Sequence, residues 1–276
     1  MSIAEHNNVE NNQTERDWPF LLRVSPKTIL FIVIGFLVIA WVSFIIFDII
    51  NLVPLYFDGR SQGLWEHLFN DQPVEWSQWF LLVYAIVSAG FLAGRLSEQE
   101  NMQMVARFFL LFSIGLGLML IEEAGDIRHT IFWYVNRLSR GSIFGIPSRV
   151  INDLIYFSLL ASVPLYAVLR YGRYIWEYVN TRIYLLTGII LYGFIAFSSG
   201  IRHLGGFYSI IGAWIDRVIF LNRFPIPDGM TQDRGHFLLV DSVIEETIET
   251  LAIMFILAGI LAFVNEIREA KAKEKA

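Results

Sequence analysis

Three acids, an arginine and a histidine stand within eight residues of the stretch Ile121-Glu122-Glu123-Ala124-Gly125-Asp126-Ile127-Arg128-His129. These are groups for acid–base chemistry, metal ligation and ion pairing. The apolar runs on either side, Phe108–Leu120 and Ile131–Val135, put them at membrane depth. An ionisable group in that setting is costly, and it faces a partner, a cavity or a substrate. Read as one continuous helix, Glu122, Asp126 and His129 follow i, i+4, i+7 spacing and share a face, while Glu123 and Arg128 leave on others. A second stripe, Asp241, Glu245 and Glu249, runs at i, i+4, i+8 near the C-terminus, with Glu246 beside it. Ser199 and His203 lie one helical turn apart, as do Ser198 and Arg202.

The elements that position these groups are membrane helices. The chain has 276 residues, 55% of them hydrophobic and 15% aromatic, and apolar runs of spanning length recur along it. In lipid each backbone N–H and C=O needs an internal partner, which a helix supplies within one segment. The expected fold is therefore all-α, a polytopic transmembrane bundle. Its six spans fall at about 28–50, 76–96, 107–135, 153–170, 183–204 and 237–265, each near the roughly 20 residues that a bilayer core requires. An amphipathic surface helix is expected at 207–221, between the fifth and sixth spans. Residues 1–27 read as a flexible polar tail, too long and acidic to open a signal peptide, and 266–276 as a charged helical tail. Leu64–Phe69, with Trp65, is expected at the membrane interface. Gly115 and Gly117 offer a close approach to another helix. Pro164 is expected to kink the fourth span.

Several chemistries are excluded. The chain has no cysteine, and hence no disulfide, thiolate ligand or cysteine nucleophile. No lysine occurs between Lys27 and Lys271, so no membrane-embedded Schiff base is available. No GxxxxGK[ST] motif is present. A net charge of −5 gives no footprint for nucleic acid.

Six spans put both termini on one side. Lys and Arg number twelve on that side and eight on the other, which places the termini in the cytoplasm of a cell membrane, the inner membrane if the source is prokaryotic. On that topology Glu122 lies roughly 22 Å along the third span from Arg107, in the outer half of the bilayer. Asp48, Glu75, Asn152, Asp153, Ser199, Arg202, His203 and the acids of the last span share the same layer.

Four readings of this layer follow. The first is a binding or catalytic site for a lipid-like or anionic small molecule. Glu122, Asp126, Glu245 and Glu249 then supply acid–base groups, and Arg128, Arg202 and Ser199 hold the substrate. The second is a divalent-metal site for zinc, iron or manganese, built from Asp126-x-x-His129, His203 and Glu246; one acid-x-x-His motif is present where a carboxylate-bridged dimetal pattern uses two. The third is a cation- or proton-coupled transporter. The fourth is a non-catalytic subunit, alongside membrane-protein partners, whose charges only fix helix register. Seven carboxylates against Arg128 and Arg202 leave an acid excess that ion pairing does not balance. A bis-histidine haem on His129 and His203 suits such an acidic setting poorly.

Overall fold

The computed structural model describes residues 18–52, 56–57, 60–61, 63–69, 73–125, 127–139 and 141–275. Helices dominate. We number them α1 (Pro26–Phe44, continued by a π-helical turn Ile45–Ile49), α2 (Leu64–Leu68), α3 (Pro73–Ser97), α4 (Gln103–Gly125), α5 (Ile127–Ser139), α6 (Ser148–Tyr171), α7 (Val179–Ile201), α8 (Phe207–Val218), α9 (Gln232–Leu238) and α10 (Glu245–Lys275), the last two joined by a π-helical segment, Leu239–Ile244. Short 3-10 helices at Phe20–Arg23, Glu100–Met102 and Gly172–Tyr174 and two short hairpins, Tyr56–Phe57 with Arg60–Ser61 and Ser142–Ile143 with Ile146–Pro147, complete the described secondary structure.

Six helical stretches are long and apolar enough to cross a membrane: Pro26–Ile49, Leu64–Ser97, Glu100–Gly125, Ser148–Tyr174, Val179–Ile201 and Gln232–Ala270. The last is the axis of the bundle. Its apolar window is 78% buried, against 6% for that of Ser148–Tyr174, which lies at the periphery. Helix α10 packs on α1, α3 and α7; α3 packs on α4, α4 on α6 and α6 on α7, so that α10, α3, α4, α6 and α7 form a closed ring. Phe31, Phe80, Leu169 and Phe194 stand largely exposed on the outside of the bundle.

Small residues set the closest approaches. A Cβ on Gly188 would lie 2.7 Å from the Ala252 carbonyl oxygen, and one on Gly259 2.7 Å from Leu185, so α7 and α10 meet at glycine on both sides. Gly115 performs the role expected of it, with Pro164 of α6 2.7 Å from its Cβ position. Gly117 has open space there.

Within the third expected span, helix is described over 103–125 and 127–139, and Asp126 lies outside the described residues. Two expectations are corrected. Trp65 is not an interfacial anchor. It is fully buried, with Nε1 donating to the Pro225 carbonyl at 3.2 Å, while Asp48 accepts the N–H groups of Leu64 and Trp65 at 2.7 and 2.8 Å and caps α2. The end of the N-terminal tail is packed: Leu22 is buried and Arg95 lies 4.2 Å over the Trp18 ring. Residues 1–17 lie outside the described residues. In α8, Asp216 is buried, accepting from Phe224 N at 3.0 Å and lying 3.1 Å from His236 Nε2, while Ile210, Trp214 and Val218 form the exposed face.

Candidate functional site

The end of α4 is where the polar layer begins. Glu122 Oε2 accepts from the backbone N–H of Arg128 at 3.2 Å. The Arg128 Nε lies 3.5 Å from Glu122 Oε1, and its Nη1 donates to Ser199 of α7 at 3.3 Å. Its guanidinium also rests 4.7 Å over the ring of Phe157 in α6. One arginine thereby touches α4, α6 and α7.

The face expected to hold Glu122, Asp126 and His129 is described only at Glu122. Asp126 and the side chain of His129 lie outside the described residues. Glu123, expected to point elsewhere, takes the central place instead: Tyr192 of α7 donates its hydroxyl to Glu123 Oε1 at 2.9 Å.

The acids of the last span are likewise distributed among different partners. Asp241 accepts from Arg202 Nη1 at 2.6 Å. Glu245, which is buried, accepts from the Tyr208 hydroxyl of α8 at 2.8 Å. Glu249 accepts from Gln78 Nε2 of α3 at 2.9 Å. The stripe is interrupted because Asp241 lies in the π-helical segment Leu239–Ile244, where a wider turn shifts each side chain around the axis. Oε2 of Glu246 is buried with no hydrogen-bond partner among the described residues. Gln78 is fully buried, and its Oε1 is in the same position.

His203 follows the end of α7 and stacks on Phe237, ring centroids 5.4 Å apart. Burial, and then the guanidiniums of Arg149, Arg202, Arg234 and Arg128, push its imidazole down to about 3, so it is neutral at physiological pH. Burial and the neighbouring Glu245 hold the Tyr208 phenol well above its ordinary range. Among the described residues no group of three or more His, Asp or Glu stands close enough to hold a metal ion. His203 and Glu246 therefore do not form such a centre with other described side chains.

Sequence reasoning missed Tyr192, Tyr208, Gln78, Arg149 and Arg234. For Gln78 a signal existed: an amide inside an apolar span needs a buried partner. The tyrosines carry no such signal, because their rings suit a membrane helix whether or not the hydroxyl is bonded.

Between α4, α6 and α7 lies a cleft of about 140 Å³. Its walls include Phe112, Leu116 and Met119 of α4, Phe157, Ala161 and Pro164 of α6, and Gly193 and Ala196 of α7. It reaches the outside of the bundle at Leu165, which is 47% exposed. The polar side chains on its wall are Glu122, Glu123 and Tyr192. The volume is close to that of a dry engineered cavity of about 150 Å³ that admits a benzene-sized guest. It therefore accepts part of an apolar chain, with the carboxylates at one end of the space.

The chain matches no protein-family model, no curated protein and no solved structure.

Proposed function

We propose that this is an integral membrane protein that binds, or acts on, a lipid-like small molecule within the bilayer. The carrying observation is the cleft between α4, α6 and α7: apolar along its walls, open at the bundle surface and ended by Glu122, Glu123 and Tyr192. An apolar pocket with a few convergent polar groups is the usual form of a small-molecule site. In this reading the tail lies along Phe112, Leu116 and Phe157. The polar end meets Glu122 and Glu123, and Arg128 and Ser199 fix the position of Glu122. Both termini face the cytoplasm, following the excess of Lys and Arg on that side.

Native mass spectrometry of the protein extracted in a mild detergent tests this. A Cβ at Gly193 meets nothing within 4 Å, so Gly193→Phe fills the cleft without displacing its walls. We expect a bound lipid-like adduct on the wild type and none on Gly193→Phe at similar thermal stability. Identical adducts on both proteins would overturn the assignment of the cleft.

A second reading, a proton- or cation-coupled transporter, draws on the buried acids Glu246 and Glu249 beside Gln78. Uptake into proteoliposomes that requires a pH gradient and disappears in Glu249→Gln would favour it.

A further inference from the structure

We infer that the polar group of the cleft's ligand is a protonated amine, held by Glu123. The inference rests on the lipid-binding reading above and names the class of ligand. It starts from which wall groups are already neutralised. Glu122 has the Arg128 backbone N–H at 3.2 Å and the guanidinium Nε at 3.5 Å. Glu123 has only a neutral donor, the Tyr192 hydroxyl at 2.9 Å, as its direct hydrogen-bond partner among the described residues. Among the described residues that line the cleft there is no arginine, lysine or histidine.

The groups behind Glu123 deepen the same imbalance. Glu122 from its own helix and Glu246 and Glu249 from α10 act on it electrostatically, opposed by Arg128 and Arg202. Both arginines already have carboxylate partners, Glu122 and Asp241. A site with excess carboxylate is complementary to a group that brings positive charge and several N–H bonds together. An alkylammonium does this with three donors. An alkyl carboxylate or phosphate adds further acceptors and like charge.

The aromatic wall suits the same ligand. Phe112, Phe157 and Tyr192 line the cleft, and a cation over an aromatic face is attracted to the ring. Phe157 already receives the Arg128 guanidinium at 4.7 Å. The ligand inferred is therefore an amphiphile with one apolar chain and a primary or secondary amine.

The test uses the full chain in nanodiscs of zwitterionic lipid, with dodecylamine, dodecanol and dodecanoate as probes, read by native mass spectrometry and by thermal shift. Wild type is expected to bind the amine roughly ten-fold or more tightly than the alcohol, and the carboxylate least, since a charge-assisted hydrogen bond exceeds a neutral one. Glu123→Gln, which keeps an acceptor for Tyr192, should remove that preference and leave alcohol binding nearly unchanged. Gly193→Phe should abolish binding of all three. Equal binding of amine and alcohol, a preference for the carboxylate, or an amine preference that survives Glu123→Gln overturns the amine inference while the lipid site stands. Binding of no probe, or binding of all of them unaffected by Gly193→Phe, overturns the lipid-site reading itself.

Discussion

Tyr192 of α7 donates its phenolic proton to Glu123 in the last turn of α4, 2.9 Å away, at the polar end of the cleft. The bond links two helices whose main packing runs through α6. It also orients the carboxylate to which the ligand's amine is assigned.

Removing the Tyr192 hydroxyl leaves a carboxylate oxygen without its donor. Tyr192→Phe should destabilise the protein by about 1–3 kcal/mol. Glu123→Ala combined with it should cost less than the two changes summed, with a coupling of roughly 0.5–3 kcal/mol. Thermal unfolding of the four proteins in one detergent measures this; strict additivity would show that the two groups do not interact.

The Arg202–Asp241 pair is short, at 2.6 Å, with side chains 7% and 21% exposed. Breaking such a pair from one side strands a charge, so Arg202→Met and Asp241→Leu should each cost about 3 kcal/mol or more, while the double variant recovers much of the loss. Denaturation midpoints of the three variants decide the point.

His203 gives a pH dependence with a definite sign. Its imidazole is pushed from 6.5 to about 3 in the folded protein. As pH falls below the unfolded value, the unfolded chain takes up a proton that the folded chain refuses. Stability is therefore full above about 6.5 and declines towards about 3. Comparing Tm from pH 7 to 4, His203→Phe should lose less stability on acidification than wild type. The difference between the two curves removes the contribution of the other titrating groups. Parallel curves would show that His203 is not held neutral by the fold.

Glycine substitutions separate contact from propensity. A Cβ on Gly212 would sit 1.9 Å from the His236 carbonyl oxygen, so Gly212→Ala must push α8 off α9 and should cost about 1–3 kcal/mol or more. Gly117→Ala meets nothing within 4 Å and should be neutral or stabilising by up to about 1 kcal/mol through helix propensity. Tm values for the two variants check both.

The spans were legible in the sequence because burial in lipid is a property of composition and length. Six apolar runs give six candidate spanning helices, and no tertiary contact is needed to find them. Gly115 belongs with these features: a small residue within an apolar run marks a close approach, and Pro164 fills it.

Which of those polar groups meet was not legible. That depended in part on a local departure from a straight α-helix, the π-helical turn at Leu239–Ile244, which rotates every later side chain relative to the count from the helix start. Periodicity assigns faces within a helix but cannot say which neighbour stands opposite. By itself the sequence determined that this chain builds a helical bundle with six stretches long and apolar enough to cross a membrane. Only the tertiary structure decided that Arg128 answers Glu122, that Tyr192 answers Glu123, and that an apolar cleft opens onto the pair. Those outcomes depend on how α4, α6 and α7 are placed around α10, and long-range packing of that kind leaves no local pattern in the chain.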